Sequence, residues 1–261
     1  MPAHAIEPVA PDETPLGKIG PILGWCVHGY TALGLVAAAG IALAIVRGTP
    51  SDFSWAFALM AIATFIDATD GTLARKVRIR EVVPGFDGRR LDDIIDFLNY
   101  TFLPLLLLWR AKSLPDGQEA WLLLPLMASV YGFCQVSIKT SDGYFLGFPS
   151  LWNVVAFYIY ALSPPTWLSL ASLIFLGLLT FVPSFYLYPS SRRSRLNTLS
   201  NALGAVWAAV LIPGFWLMQE NPESTAWQTG YWLVAVSLFY VIFYLGASWL
   251  VTLKHWFSPT P

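Results

Sequence analysis

The residues of this chain that are suited to chemistry are concentrated in one stretch, residues 67–96, the most charged segment of a very apolar protein. Asp67 and Asp70 are three positions apart, and Asp92 and Asp96 are four positions apart. On a helix, both spacings place the two carboxylates on the same face. Hard cations such as Mg²⁺ and Mn²⁺ prefer carboxylate oxygens. Four carboxylates on two facing helices can therefore hold two divalent ions that clamp a pyrophosphate during phosphoryl transfer.

Small and basic residues are interleaved with these aspartates. Ala74 shares the helix face of the first two aspartates, and Gly71 and Arg75 form an adjacent ridge, four positions apart. Gly88 lies four positions before Asp92 and on the same face of the second helix. Residues with little or no side chain let a nucleotide approach the backbone, and a guanidinium can donate two hydrogen bonds to phosphate oxygens. The stretch therefore predicts a pocket for a nucleotide with its phosphates.

The same aspartates could also have ordinary structural roles. Asp92 and Asp93 can be an acid pair at the favourable start of a helix, and Asp67 and Asp70 can pair with nearby arginines. An acidic side chain inside a membrane costs about 2.5–3.5 kcal/mol on insertion scales, and crowded carboxylates repel each other. Cations offset both costs, so four acids at these spacings favour a cation site. We interpret Asp93 as a surface acid, and the arginines of 76–90 as topology determinants and contacts of lipid headgroups.

Membrane helices must position this stretch. The 261-residue chain is 56% hydrophobic and 12% charged, whereas a soluble domain has about 25% charged residues. Its apolar runs are of roughly the 17–25 residues that cross a bilayer. We predict an all-α, polytopic transmembrane helix bundle of about eight spans, with residues 1–20 as a flexible cytosolic tail and residues 21–257 as a single membrane domain. We interpret His28, in the first span, as a packing residue. The predicted spans are residues 22–46, 53 into the acidic motif, 91–109, 120–138, 151–162, 166–186, 198–218 and 231–253.

The distribution of basic residues orients this bundle. One set of connections holds most of the lysines and arginines, including five in residues 76–90, whereas the other set holds only Arg47, Arg110 and Lys112. Cytosolic loops carry the excess of positive charge, so both termini and the aspartates are expected on the cytosolic side. The second span has fourteen residues before Asp67, or about 21 Å of helix, against a hydrocarbon core of about 30 Å. Asp67 is therefore expected a little below the cytosolic membrane surface.

The motif resembles the signature of a known family. The run DATDGTLAR from Asp67 to Arg75 is followed, after twelve residues, by Gly88-x3-Asp92-x3-Asp96, and all eight defining positions are filled. This pattern resembles the signature of the CDP-alcohol phosphatidyltransferases. A shorter link between Arg75 and Gly88 is usual in the family, and the longer link is the form seen in bacterial members that use choline. The similarity to those members also includes the segment SDGYFLGFPSLWN, residues 141–153.

The resemblance implies a role for each motif residue. Two Mg²⁺ or Mn²⁺ ions would be bound by Asp67, Asp70, Asp92 and Asp96. Asp96 would also be the general base that takes the proton of the acceptor hydroxyl. The CDP moiety would be bound by Asp70, Gly71, Ala74, Arg75 and Gly88. CDP-diacylglycerol would enter from the bilayer, the alcohol would attack the phosphorus on the diacylglycerol side, and CMP would leave. The resemblance also suggests a homodimer in the bacterial inner membrane, with lipids and no nucleic acid as partners.

Candidate residues for binding the acceptor alcohol lie outside the aspartate motif. A quaternary ammonium such as choline binds to aromatic faces, sometimes with a carboxylate, although Trp and Tyr are also ordinary anchors at membrane interfaces. The candidate choline-binding residues are Asp142, Tyr144, Trp152, Asn153 and Tyr186. A basic cluster, Arg192, Arg193 and Arg195, could instead favour a phosphorylated acceptor, or bind the phosphates of CDP-diacylglycerol or anionic headgroups.

We therefore expect transfer of a phosphatidyl group to choline. The alternatives are the same chemistry with serine, inositol or glycerol 3-phosphate, and, from another class, an ion-coupled transporter that uses the aspartates as its ion site. The transporter hypothesis predicts ion flux across vesicles and no release of CMP.

Overall fold

The computed structural model describes residues 16–135, 138, 140, 143–188 and 195–257. These residues are mainly α-helical, and the chain divides into two compact units, one ending at Leu103 and the other beginning at Pro104. Within the described residues, four helical segments are long and apolar enough to cross a membrane: Gly17–Arg47, Pro50–Val77, Arg195–Leu217 and Thr225–Phe257. The chain is an α-helical membrane protein, as its composition predicts.

The first unit is built on a pair of long helices, α1 and α2, that are joined by a tight turn. Gly48 ends α1 with a φ of 74°, a conformation that glycine adopts without strain. Thr49 then caps α2: its Oγ1 accepts a hydrogen bond from the Asp52 amide, and Asp52 Oδ2 accepts one from the Thr49 amide, both at 3.2 Å. This reciprocal cap and Pro50 in the first turn fix the start of α2. The elements of this part are α1 (Gly20–Arg47), α2 (Pro50–Val77), α3 (Ile79–Val82), α4 (Gly88–Asp96), a π-helical segment (Phe97–Phe102) and α5 (Leu103–Arg110), whose first residue is the last of the unit.

Two features bring α4 to the face of α1. Asp87 caps α4 by accepting a hydrogen bond from the Arg90 amide at 3.2 Å, which fixes its start at Gly88. Gly34 of α1 lies so close to Ile95 of α4 that a Cβ at position 34 would be 2.6 Å from Ile95 Cγ2. The glycine thus allows the close approach that small residues give to membrane helices.

The second unit combines long and short apolar helices with one pair of short strands. The strands are antiparallel, with Phe145 opposite Tyr186. The elements are α6 (Leu123–Cys134), β1 (Tyr144–Leu146), α7 (Trp152–Leu162), α8 (Thr166–Leu179), β2 (Phe185–Leu187), α9 (Arg195–Leu217) and α10 (Thr225–Phe257).

The end of the sixth predicted span is not helical. The apolar run predicted a helix to residue 186, but α8 ends at Leu179 and residues 185–187 form β2. Side chains of α10 stabilise this strand: Thr252 Oγ1 accepts a hydrogen bond from the Phe185 amide at 2.8 Å, and the Tyr244 hydroxyl donates one to the Leu187 carbonyl at 3.0 Å. Strand pairing and these side chains satisfy the backbone there, which an apolar pattern alone does not reveal.

The predicted spans correspond to helices of unequal length. Residues 22–46 and 231–253 fall within α1 and α10, whereas the spans predicted at 120–138, 151–162 and 166–186 correspond to the shorter apolar helices α6, α7 and α8. The count of eight spans, the cytosolic location of the termini and the single domain over residues 21–257 remain predictions.

Candidate active site

The first unit brings the four motif aspartates together. Carboxylate oxygens of Asp67, Asp70 and Asp92 all lie within 4.8 Å of one another. Asp96, one turn after Asp92 on α4, lines the same small gap between the helices. Asp70 is the most enclosed of the four, with only 6% of its surface exposed. The spacing of three on α2 and of four on α4 therefore produces the convergence that the sequence predicts.

These carboxylates fit a divalent cation. Opposite oxygens in an octahedral Mg²⁺ shell are about 4.2 Å apart, since each metal–oxygen bond is about 2.1 Å. Neighbouring oxygens in that shell are about 3.0 Å apart, so the three carboxylate oxygens, which lie within 4.8 Å of one another, would move closer by up to about 2 Å around an ion. The donors are all carboxylate oxygens, which favours Mg²⁺ or Mn²⁺ over softer metals. The cluster is thus able to bind a metal ion.

A large cavity opens beside the aspartates. Its volume is about 770 Å³, within the range of small-molecule sites. Its wall includes the predicted CDP-binding residues, together with residues of α1 and of the segment after α3. Among the lining residues are Asp70, Gly71, Ala74, Arg75, Gly88 and Asp92, and also Val27, His28, Thr31 and Phe86.

The two motif glycines have different surroundings. A Cβ on Gly71 would meet only the flexible Arg75 guanidinium, at 3.4 Å from Nη1, so Gly71 leaves open space on the cavity wall. A Cβ on Gly88 would be 2.5 Å from Cε1 of His28. Gly88 therefore admits the buried His28 ring, which packs on Phe86 with ring centroids 4.5 Å apart. The interpretation of His28 as a packing residue is consistent with this contact, although its Nε2 has no hydrogen-bond partner among the described residues.

Helix α1 and the π-helical segment contribute polar contacts that the motif does not contain. Thr31 Oγ1 donates a hydrogen bond to Asp70 Oδ2, and the Tyr100 hydroxyl donates one to Asp67 Oδ2, both at 2.7 Å. Thr31 is 39 residues before its partner, and Tyr100 is 33 residues after its own. No short-range spacing relates these residues to the motif, so the sequence offered no signal for them.

The arginines around the cavity differ in their partners. Arg78 pairs with Glu81 at 2.9 Å, and Arg89 approaches Asp93 at 3.9 Å. The Arg75 guanidinium donates a hydrogen bond to Thr72 Oγ1 at 3.0 Å, and no carboxylate in the described part of the chain lies within ion-pair distance of it. Arg75 can therefore bind an anion in the cavity, whereas Asp93 is a surface acid paired with Arg89, as its position on α4 predicts.

The predicted choline-binding residues belong to the second unit and are mostly enclosed. Trp152 and Tyr186 are fully buried, with ring centroids 5.5 and 5.8 Å from that of Phe148. Trp152 Nε1 also donates a hydrogen bond to Ser129 Oγ at 2.7 Å. Asn153 is buried, and its Oδ1 accepts a hydrogen bond from the next backbone amide at 2.9 Å.

Tyr144 is the most accessible aromatic candidate. It is half-buried on β1, with its ring 6.0 Å from His255 and 6.3 Å from Phe185. Arg195, at the start of α9, is exposed. Asp142, Arg192 and Arg193 lie outside the described residues.

Comparison with known proteins identifies the family. The model of the CDP-alcohol phosphatidyltransferase family matches residues 29–182. The chain is 36% identical to a phosphatidylcholine synthase of Pseudomonas aeruginosa, over 89% of this chain and 94% of the relative. It is also 36% identical to a phosphatidylcholine synthase of Legionella pneumophila, over 87% of this chain and 88% of the relative. A phosphatidylcholine synthase of Borreliella burgdorferi is 35% identical, over 67% of this chain and 74% of the relative.

Together with the helical membrane fold and the acidic site, these similarities place the chain among the membrane-bound transferases of phosphate-containing groups. The chain belongs to the CDP-alcohol phosphatidyltransferase family, and its activity is phosphatidyl transfer.

Proposed function

We propose that this enzyme transfers the phosphatidyl group of CDP-diacylglycerol to choline, which yields phosphatidylcholine and CMP. The observation that carries the proposal is the convergence of three motif carboxylates within 4.8 Å beside a cavity lined by Gly71, Ala74 and Arg75. The choice of choline is supported by relatives of similar length that are named phosphatidylcholine synthase. The twelve-residue link between Arg75 and Gly88 supports it further.

The cation site would consist of four carboxylates. Asp67, Asp70, Asp92 and Asp96 would hold two Mg²⁺ or Mn²⁺ ions, which when bound supply positive charge against the phosphate oxygens. Carboxylates that converge without a cation repel one another, so the arrangement itself favours bound cations. The enzyme is therefore proposed to require a divalent metal.

The nucleotide would lie in the large cavity. Gly71 and Ala74 leave space for its close approach to α2, and the guanidinium of Arg75 would donate hydrogen bonds to its phosphate oxygens. Asp70 and Gly88 would complete the binding of CDP. The exposed arginines around the cavity add positive potential, which favours a substrate with two phosphates.

Asp96 would act on the acceptor. Its carboxylate would take the proton of the choline hydroxyl while the hydroxyl oxygen attacks the phosphorus on the diacylglycerol side. A new phosphorus–oxygen bond forms, the bond to the bridging oxygen of the pyrophosphate breaks, and that oxygen leaves with CMP. Because Asp96 lies one turn from Asp92, it can approach the acceptor oxygen and remain part of the acidic cluster.

The acceptor and the membrane location complete the proposal. Asp142, Tyr144, Trp152, Asn153 and Tyr186 are proposed to contribute to the choline site, and Arg192, Arg193 and Arg195 to contact phosphate or lipid headgroups. The excess of basic residues in one set of connections supports an active site at the cytosolic face of a bacterial inner membrane. Membrane lipids are the expected surroundings, a homodimer is the proposed assembly, and no nucleic acid is expected to bind.

The deciding experiment compares acceptors. Purified protein with Mn²⁺ and CDP-diacylglycerol is given choline, serine, inositol or glycerol 3-phosphate, and released CMP and the lipid product are quantified. We expect CMP release with choline only, its loss on chelation with EDTA, and its recovery when Mn²⁺ or Mg²⁺ is added back. Release with serine alone would reject choline as the acceptor, and no release with any alcohol would reject the transferase proposal.

A further inference from the structure

Asp67 and Asp70 each accept a hydrogen bond from a hydroxyl outside the acidic motif. The Tyr100 hydroxyl donates to Asp67 Oδ2, and Thr31 Oγ1 donates to Asp70 Oδ2, both at 2.7 Å. We propose that Tyr100 and Thr31 are positioning residues, which hold these two carboxylates in the orientation that binds the metal ions. The inference rests on the proposed function, because it assigns a role toward the proposed cation site.

The contacts are suited to that role because they come from two different elements and hold two different aspartates. Thr31 belongs to α1, and Tyr100 belongs to the π-helical segment after α4. Thr31 and Tyr100 are buried, with 8% and 9% of their surfaces exposed, so water does not compete freely for either hydrogen bond. In each carboxylate the bond engages Oδ2, which restrains rotation of the group.

The local backbone explains how Tyr100 reaches Asp67. The helix changes from α to π geometry at Phe97, directly after Asp96. Short π-helical turns frequently occur at functional sites. The buried Asn99 stabilises this turn, since its Nδ2 donates hydrogen bonds to the carbonyls of Ile95 and of Gly34 on α1, both at 3.0 Å. The turn is therefore attached to α1, the helix that also carries Thr31.

The proposed role has a measurable consequence in metal affinity. Groups that hydrogen-bond metal ligands orient them, and their loss typically weakens metal binding by about 10–100-fold. A role in folding alone would instead lower stability and leave the affinity of the folded protein for metal unchanged. Mn²⁺ affinity, measured without substrate or turnover, separates the two roles.

The test measures Mn²⁺ binding to the purified full-length protein in detergent, with electron paramagnetic resonance of free Mn²⁺ as the readout. Tyr100→Phe and Thr31→Val remove the two hydroxyls and keep the side-chain shapes. We expect each to raise the Mn²⁺ dissociation constant by about 10–100-fold, and Thr31→Ser, which keeps a hydroxyl, to bind as the parent does.

Two variants in the other unit are matched controls. Tyr158 is as buried as Tyr100, and its hydroxyl lies 2.6 Å from Ser237 Oγ. Thr180 is as buried as Thr31, and its hydroxyl faces the Phe148 carbonyl at 3.4 Å. Tyr158→Phe and Thr180→Val should leave Mn²⁺ affinity unchanged, because these hydroxyls bond no motif aspartate.

The possible outcomes separate this inference from the proposed function. Parental Mn²⁺ affinity in both Tyr100→Phe and Thr31→Val, or equal losses in the controls, would overturn it, as would a parent protein that binds no Mn²⁺. A parent that binds Mn²⁺ but releases no CMP from CDP-diacylglycerol with any alcohol would instead reject the transferase proposal. Weakened Mn²⁺ binding in the two test variants would still support the positioning role.

Discussion

The imidazole of His28 lies directly against Gly88, so that a Cβ at position 88 would be 2.5 Å from His28 Cε1. His28 is buried on α1 and its ring also packs against Phe86, which leaves the ring little room to move. This motif glycine therefore sets how closely the start of α4 packs on α1. Because α4 carries Asp92 and Asp96, the contact also affects the position of two of the four acids.

We expect Gly88→Ala to destabilise the protein. The added methyl group overlaps His28, and overpacking of this kind costs about 1–3 kcal/mol. The thermal unfolding temperature in detergent should fall, and Mn²⁺ binding should weaken because α4 must shift. In a His28→Ala background, which lacks the ring, adding Gly88→Ala should lower the unfolding temperature by less than it does in the parent. If Gly88→Ala alone unfolds at the same temperature as the parent, the contact between position 88 and His28 is not tight.

Gly71→Ala is expected to preserve the stability of the protein but to weaken nucleotide binding. The new Cβ would meet only the Arg75 guanidinium at 3.4 Å, and replacing a glycine inside a helix by alanine gains about 0.5–1 kcal/mol. The unfolding temperature should therefore stay the same or rise. The methyl group would occupy the cavity wall and should weaken binding of CMP about 5- to 150-fold, as expected for a clash of about 1–3 kcal/mol. Isothermal titration with CMP checks this, and unchanged affinity would place the nucleotide away from Gly71.

Part of the site could be predicted because it depends on short-range geometry. The spacings of Asp67 with Asp70 and of Asp92 with Asp96 fix shared helix faces. The apolar runs on both sides make the two segments antiparallel neighbours. A helix pair joined by a short connection then has little freedom to keep the acids apart. The same reasoning placed Asp93 outside the cluster.

The rest of the site and of the fold depends on contacts between residues that are far apart in the sequence. No periodic pattern connects Thr31 with Asp70, and a change from α to π geometry at Phe97 has no simple signature in residue types. The pairing of Phe145 with Tyr186 was likewise missed, because the run that ends there is as apolar as a membrane helix. The secondary structure of such segments is determined by tertiary contacts and not by local propensity.

Asp96→Asn tests the proposed general base. The amide cannot accept the proton of the acceptor hydroxyl, so the rate of CMP release should fall by about 10²–10⁴-fold. CMP should bind with nearly unchanged affinity, and Mn²⁺ should still bind through the other three carboxylates. Asp93→Asn is a matched control, because Asp93 is on the same helix but faces Arg89 at 3.9 Å. It should retain full activity, and full activity in Asp96→Asn would exclude Asp96 as the base.

Tyr144 offers a direct test of the choline site. Unlike the enclosed rings of Trp152 and Tyr186, its half-buried ring retains exposed surface. A cation over an aromatic face gains about 0.5–2 kcal/mol. Tyr144→Leu removes the face and should raise the KM for choline about 2- to 30-fold at an unchanged KM for CDP-diacylglycerol, because only the acceptor is a quaternary ammonium. Tyr144→Phe keeps the face and should retain the parental KM for choline. A parental KM for choline in both variants would assign the acceptor to other residues, whereas a raised KM in both would identify the hydroxyl, and not the ring, as the contact.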